Sequence, residues 1–443
     1  MLENVDLHLI YRLVQEAGYE LCHFYAERTI TTDFEINDKE CKSRHSESGG
    51  LSIQLQKKNA EKKYTFRTQQ FSTQSILELL NLPFEFSPPQ EPLKVPNSTP
   101  SLTGKKLQNL QLLIRKINLD NAISQPVSCC FQEKQQTYQS ATAPGEIKSG
   151  EYHLGDVTLA IETLHKGTAL NFSHQLSSTN LEGLWEQLQQ LISNIQRRIL
   201  LGCTEQWPVP SGPIAVGWSS QSIAKMTDCF LRGFEGDLVL KNFSYLTQLS
   251  LPLNYNFTIE EMPPPANQNN DHEGSDRKPL IIFDGKKPRG LATDKTVAQE
   301  FSVASTGHSR RESFEHPSTI GFWHPTIKGT TEVDSVLPLL TAGLWVEELE
   351  IKEFDLVSGT GTLYFSQVNL VHEGAIGESV APFFWTVSLP EIMGSLTHFS
   401  NQTSTLGLFH TKQKQRVLTE FTAPSALSSE LDLPGSVPKS HYW

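Results

Sequence analysis

One stretch limits what this chain can fold into more than any other: residues 212–246, GPIAVGWSSQSIAKMTDCFLRGFEGDLVLKNFSYL. Its opening apolar run, Pro213-Ile214-Ala215-Val216-Gly217, has the composition of a buried strand. Ser219 or Ser220 can cap a following helix, because a hydroxyl there accepts bonds from the unpaired N–H groups of the first turn. Ile223, Met226, Phe230 and Phe234 recur at three- and four-residue steps and share one face. Gly233 and Gly236-Asp237 are expected to end the helix through a left-handed cap, with a strand to follow. Strand, helix, glycine, acid and strand form a compact unit that can position chemistry. Within the helix Asp228 and Arg232 stand four residues apart with the acid first, a pair worth about 0.3–0.5 kcal/mol on an exposed helix face.

The rest of the chain is long enough to surround that unit. Its 443 residues allow two or three domains with full cores. Hydrophobic residues make up only 37%, which implies long polar loops. A formal net charge of −12 argues against a general nucleic-acid binder, which would carry a basic stripe. No run of eighteen apolar residues is present, so no membrane helix is expected. The N-terminus, MLENVDLHLIYRLVQEAG, reads as an amphipathic helix with acids rather than a leader, and a cytoplasmic location follows. Cys22, Cys41, Cys129, Cys130, Cys203 and Cys229 show no CxxC spacing and read as buried free thiols.

Taken in order, residues 1–80 read as a helix, three or four strands and a second helix. Val5, Leu7, Ile10, Leu13 and Val14 form the first helix's stripe; residues 19–28, 29–37, 51–55 and 64–69 alternate as strands, with Ser48-Gly49-Gly50 as a turn. Residues 82–103 are a proline-rich extended connector. A helix is expected over 105–117, strands over 127–131, 157–162 and 169–174, and a long helix over 180–201. His165 and His174 flank a hairpin turn at Lys166-Gly167. Residues 205–212 mark a boundary, giving an N-terminal α/β domain over 1–205, with the central segment 104–205 inside it, and a mainly β domain over 206–443. Residues 260–278 have almost no apolar content and read as a mobile loop. A strand over 279–284 and a helix over 294–301 come next, then hairpin strands over 345–351, 362–372 and 383–387. Ser388-Leu389-Pro390-Glu391 is a capping box opening a helix to residue 398, and the tail past Ala423 reads as frayed.

Several of these segments resemble the TldD/PmbA family, the "modulator of DNA gyrase" proteins. TldD-type members carry HExxxHGxEGD, whose histidines bind a metal and whose glutamate serves a metallopeptidase. Gly233, Glu235, Gly236 and Asp237 fix the register here, so Thr227 stands at the first His position, Asp228 at the Glu and Arg232 at the second His. The resemblance extends to Asp271-His272-Glu273-Gly274 ("DDEG"), to Ser305-Thr306-Gly307-His308-Ser309-Arg310-Arg311 ("STGNARR", with His308 for Asn), to Gly343-Leu344-Trp345-Val346 ("GLYV") and to Asp355-Leu356-Val357-Ser358-Gly359 ("DPVTG"). TldD-type members also place a cysteine ligand after the capping-box helix, where this chain reads TLGLFHTKQ. The frame is kept while the chemistry is lost, as in the PmbA/TldE branch, which acts as partner to TldD. The resemblance implies an α+β fold: an α/β N-terminal domain, then a largely β C-terminal domain enclosing the site.

It further implies a TldE-like subunit of a peptidase acting on peptides or unfolded proteins. Such a chain has no catalytic, cofactor or metal residue of its own, and zinc belongs to a TldD-like partner. A guanidinium only donates and cannot ligate a cation, and threonine is a poor zinc ligand. Two other readings stand beside it: a self-sufficient metallopeptidase with other ligands, and a peptide-binding scaffold without enzymatic partner. His308, His316 and His324, with Glu312 and Glu315 between, fit no compact metal motif and fall in a polar, loop-like segment. Arg310-Arg311 reads as solvated surface, with binding of a peptide carboxylate or a partner's acid the rival role. Trp345, Phe383, Phe384 and Trp385 are candidates for a partner contact, with core packing the rival role. Whether the chain also forms a homodimer is left open.

Overall fold

The computed structural model describes residues 2, 5–37, 39–57, 63–81, 106, 108–112, 114–115, 128–142, 146–165, 168–202, 206–250, 253–262, 268–435 and 437–438. The connector over 82–103, the turn at Lys166-Gly167 and Cys203 lie outside them. In the N-terminal part, α1 (Leu7–Glu16), β1 (Tyr19–Ile36), β2 (Cys41–Lys57), β3 (Lys63–Thr68) and α2 (Thr73–Leu79) precede β4 (Ser128–Thr142), β5 (Lys148–His165), β6 (Thr168–Ser178) and α3 (Leu181–Gly202). The described residues between 106 and 115 are helical. The six strands form one antiparallel sheet in the order β3-β2-β1-β4-β5-β6.

Strand alternation gives this sheet two buried faces. Phe24, Ala26, Leu51 and Ile53 point to α1 and α2, and meet Ile10, Val14, Ile76 and Leu77. Farther along the same face, Phe34, Phe131, Val157 and Leu159 meet Leu184, Leu188 and Ile192 of α3. The opposite face presents Tyr25, Tyr138, Tyr152 and Leu154 to the C-terminal part, where they meet Phe314, Trp323 and Leu418. The expected break between residues 28 and 29 does not occur, and β1 runs unbroken. Ser48-Gly49-Gly50 is strand, not turn. A Cβ on Gly49 would lie 2.7 Å from the Glu27 carbonyl oxygen, and one on Gly50 2.3 Å from the Phe314 ring. These glycines serve close approach rather than reversal.

The second half is a twelve-stranded mixed sheet. Its strands are β7 (Pro210–Trp218), β8 (Phe257–Glu261), β9 (Leu280–Phe283), β12 (Pro325–Gly329), β13 (Glu332–Val333), β14 (Ala342–Phe354), β15 (Thr360–His372), β16 (Ala375–Val380), β17 (Phe383–Ser388), β18 (Leu396–Lys412), β19 (Gln415–Pro434) and β20 (Val437–Pro438). A small pair, β10 (Ser309–Arg310) and β11 (Thr319–Ile320), stands apart. The main path runs β16-β15-β14-β7-β19-β12-β8-β9. Helix α4 (Ser220–Arg232) follows β7, α5 (Gly236–Leu240) follows α4, and α6 (Lys295–Glu300) and α7 (Leu389–Gly394) complete the set. Ile223, Met226 and Phe230 of α4 enter a core shared with Ile214, Val216, Phe257, Phe283, Phe399 and Phe421.

Three expectations give way here. The 260–278 segment is not a mobile loop over its described part, because Asp271 organises residues 271–275. Its Oδ1 accepts from the N–H of Glu273 (2.9 Å) and of Ser275 (2.8 Å), and its Oδ2 from that of Ser309 (3.1 Å). Gln268, Asp271, His272, Glu273 and Arg277 are buried. The capping-box helix ends at Gly394, where a Cβ would lie 2.7 Å from the Tyr255 ring, and β18 begins at Leu396. The tail past Ala423 is the second half of β19, paired antiparallel with β7. Its small residues fit beneath Trp218, whose Nε1 donates to Ser428 Oγ at 2.7 Å.

Polar bonds join the two sheets at their rim. Glu420 of β19 accepts from Ser178 Oγ (2.6 Å) and from the Thr179 N–H (2.7 Å), and pairs with His324 Nδ1 (3.1 Å). Burial alone would raise its pKa, but the bonds from His324, Ser178 and Thr179 override it and bring it down to about 2. Ionised Glu420 therefore contributes stability that is present above its ordinary 4.5 and lost as pH falls through about 2. Glu420→Ala is expected to cost about 3–5 kcal/mol at pH 7, the scale for removing one partner of a buried pair. The deficit relative to the parent should shrink by pH 3, and urea unfolding at the two pH values measures it.

Candidate functional site

The site grows from the carboxyl end of β7. Strand β7 lies between β14 and β19, so the chain leaves it under cover and turns at once into α4. Ser219 caps that helix, accepting from the Ser222 N–H at 3.1 Å and donating to the Glu347 carbonyl at 2.6 Å. The apolar face expected from residues 223, 226 and 230 is buried, and the Phe230 and Phe234 rings lie 5.3 Å apart. Gly233 does not take the left-handed cap; its φ of −61° is helical. Its small size matters instead, since a Cβ would lie 2.4 Å from the Tyr245 ring. No strand follows at Leu238-Val239-Leu240, because Gly236 opens α5 against Ala292, whose carbonyl accepts its N–H at 2.8 Å.

This geometry places the three motif positions on one helix with different environments. Thr227 is buried, and its Oγ1 donates to the Ile223 carbonyl at 2.8 Å within its own helix. Asp228 and Arg232 form the expected pair at 3.3 Å. It is no surface pair, however: the Asp228 side chain is only 13% exposed and Asp228 Oδ1 faces His410 Nδ1 at 3.9 Å. Burial pushes the His410 pKa down to about 4, with Asp228 opposing and Arg232, Arg310 and Lys412 adding to the shift, so its imidazole is neutral at pH 7. Among the described residues neither His410 ring nitrogen has a hydrogen-bond partner.

Beside them, Lys412 reaches in from the end of β18. Its Nζ lies 2.6 Å from Glu235 Oε2, 2.9 Å from Asp237 Oδ1 and 3.1 Å from the Ile320 carbonyl. Burial opposes the ammonium charge, but the two carboxylates prevail and raise its pKa. Glu235 is almost fully buried, and burial pushes its carboxyl up to about 7 despite the ammonium beside it. Sequence reading passed over both His410 and Lys412. The signal was there in the alternation of Leu406-Gly407-Leu408-Phe409-His410-Thr411-Lys412, which turns His410 and Lys412 to the same side of a strand.

A second polar layer lies behind this one, between the two sheets. Arg310 is buried rather than solvated, donating to the Phe322 carbonyl (2.5 Å) and the Leu418 carbonyl (2.7 Å). Its guanidinium stacks on Trp323 at 3.6 Å, and that of Arg277 approaches the same ring at 4.0 Å. Arg311 is buried over Tyr25 at 4.8 Å. His272 accepts the Arg311 N–H at 2.6 Å; burial, followed by the nearby arginines, pushes its pKa well down. The three histidines weighed as ligands go to separate partners: His308 to Thr306 Oγ1 (2.9 Å) and Glu261, His316 to Ser313 Oγ (3.0 Å), His324 to Glu420. Among the described residues no three His, Cys, Asp or Glu side chains are grouped to hold a metal ion. Cys22, Cys129 and Cys229 are buried as expected, whereas Cys41 and Cys130 are exposed. None of the described helices is long and apolar enough to cross a membrane.

Residues 211–435 match the family model described as "PmbA/TldA metallopeptidase C-terminal domain". The chain belongs to the PmbA/TldD family. Solved structures share its strand-rich α+β fold. TldE from Thermococcus kodakarensis superposes with a TM-score of 0.73 at 14% identity, covering 96% of this chain and 99% of that one. A protein described as a modulator of DNA gyrase from Thermotoga maritima gives 0.72 at 16%, covering 96% and 98%. One so described from Bacteroides thetaiotaomicron gives 0.68 at 14%, covering 97% and 98%. No curated protein matches the sequence. The Lys412 contacts, to Glu235 and Asp237, lie within the matched region.

Removing that ammonium takes the cation from buried Glu235 and half-buried Asp237. Lys412→Met should cost about 3–5 kcal/mol, with Glu235→Gln in the same chain restoring part of the loss. The folded-state pKa of Glu235 is raised, so its contribution is full below 4.5 and is lost as pH rises through about 7. Glu235→Gln in the parent should therefore flatten the fall in stability between those pH values. Denaturant titrations across pH 4.5–7.5 check both.

Proposed function

We propose that this chain is a non-catalytic, TldE-like subunit that completes a TldD-type metallopeptidase acting on peptides or unfolded proteins. On this reading it holds no metal, and zinc belongs to the TldD-like partner. The observation that carries the proposal is the state of the motif positions. Thr227 spends its hydroxyl on its own helix, Asp228 pairs with Arg232, and Lys412 sets an ammonium against Glu235 and Asp237. A catalytic zinc needs about three ligands and one open position. Here two fixed cations, Arg232 and Lys412, stand among the acids, and a divalent ion would have to displace or repel them.

His410 favours a second reading. A buried neutral imidazole with both nitrogens unbonded, 3.9 Å from a carboxylate, has the ingredients of a ligand or a base. On that reading the chain is a peptidase in its own right. The first reading is the stronger, because Arg232, Arg310 and Lys412 add positive charge around His410 against the single carboxylate of Asp228, and a metal would raise it further.

Purification without chelators, followed by metal analysis, is expected to give well under one zinc per chain and no peptide cleavage by the chain alone. Coexpression with the TldD-like chain of the same cell should yield a heteromer by size exclusion and a peptidase that needs both chains. Asp228→Ala should leave the rate of that complex within about threefold, since on this reading Asp228 only pairs with Arg232 and does no acid–base work, although loss of a largely buried partner should lower the stability of the chain. One tightly held zinc per chain, chelator-sensitive cleavage by the chain alone, or a partner fully active without it would overturn the proposal.

A further inference from the structure

The exposed margin of the C-terminal sheet differs along its length. Strands β16 and β17 lie end to end on the same side of β15, separated by Ala381-Pro382. The outer side of β16 is covered: the Trp207 N–H donates to the Ser379 carbonyl at 2.9 Å, and the Trp207 carbonyl accepts the Ala381 N–H at 2.7 Å. The cover stops there. Among the described residues β17 pairs with β15 alone. An antiparallel edge strand turns alternate N–H and C=O groups outward. Natural edges of this kind are blunted by charge, proline or a bulge. Residues 383–388, Phe-Phe-Trp-Thr-Val-Ser, contain none of these, and their register with β15 is unbroken.

The two faces of β17 have different roles. Phe383 and Trp385 pack inward, Phe383 stacked on Phe365 with ring centroids 4.6 Å apart. Trp345 packs against Gly217 and donates its Nε1 to Glu347 at 2.8 Å. Of the four aromatic residues considered for a contact, Phe384 is the one that stands out, 60% exposed with its ring 4.7 Å from Tyr364. Thr386, two residues on, lies on the same face and beside an open groove of about 520 Å³. Glu353, Phe354, Asp355, Ser358, Thr360 and Thr362 line the groove with it. Lys352, which lies over the Tyr364 ring at 5.1 Å, is paired with Glu350. Glu353 and Asp355 leave the groove acidic.

We infer that the free edge of β17 docks an extended strand of the TldD-like partner, which adds to the sheet. This rests on the subunit reading above and names where that contact is made. Main-chain pairing supplies the affinity, and alternate side chains supply the selectivity. The incoming strand carries an apolar residue against Phe384 and Tyr364 and, two positions along, a lysine or arginine over Glu353 and Asp355. The same charge argument disfavours a second copy of this chain, which has a net charge of −12 and offers FFWTVS with no cation.

The test uses the coexpressed complex. Amide hydrogen exchange over residues 383–388 should slow by about tenfold or more in the complex relative to the free chain. Phe384→Ala, at an exposed position, should weaken association about tenfold while leaving the melting temperature of the free chain unchanged. The double charge reversal Glu353→Lys/Asp355→Lys should weaken it further, and more so at low salt. A stable heteromer whose 383–388 amides exchange as in the free chain, with the Phe384 variant binding normally, overturns this inference and leaves the subunit reading standing. Absence of any heteromer overturns both. Protection that rises with the concentration of this chain alone would assign the edge to a second copy and overturn the choice of partner.

Discussion

The two halves are held by a seam in which guanidinium groups lie against aromatic rings. Trp323 is at its centre, with Arg310 at 3.6 Å and Arg277 at 4.0 Å, and His272 edge-on at 5.5 Å. The ladder continues through Tyr138, 4.6 Å from His272, to Tyr25 and Arg311. Arginine suits this position because its guanidinium is weakly hydrated and stacks flat while its N–H groups reach carbonyls at the rim. An antiparallel sheet commonly leaves one face in water; here the N-terminal sheet cannot, because this seam covers its second face. Segments 268–277 and 306–316 are therefore interior structure despite their polar composition.

That seam also fixes the ground on which the motif positions stand. Arg310 adds to the burial that keeps His410 neutral, and the residue after Trp323 is His324, which pairs with Glu420 just before β12 begins. In front of it, Lys412 is tied to Glu235 and Asp237. This ion pair supplies a reason for the survival of Glu235 and Asp237 that requires no catalysis. A buried acid beside a half-buried one is costly, and an ammonium between them offsets that cost. The retained frame is therefore explained by folding alone, and the case for a peptidase subunit rests on the cations that occupy it, not on the acids that remain.

Much of the fold was legible from the sequence because it depended on local pattern. The stripe of α1, the Ser219 cap, the face of α4 through Ile223, Met226 and Phe230, the strand over 280–283 and the Ser388 cap are set by residues within a turn or two of each other. The motif register was legible for the same reason, since Gly233 through Asp237 lie within five residues of Arg232. Family likeness could be read from such short runs as well.

What the sequence determined by itself was this set of local elements, the α+β class and the spacing of Thr227, Asp228 and Arg232 along one helix. Tertiary structure decided which polar residues were buried and with whom. Composition makes Asp271 to Arg277 look like a solvated loop and Arg310-Arg311 like surface, because burial of charge depends on partners far away in sequence. Lys412 finds Glu235 across 177 residues, Ser178 finds Glu420 across 242, and Gly50 makes room for a Phe314 that no local rule could place. Glycine was misread for the same reason: at Gly49, Gly50 and Gly233 it answers to a distant atom at its Cβ position, whereas sequence reading assigns it to a turn or a cap.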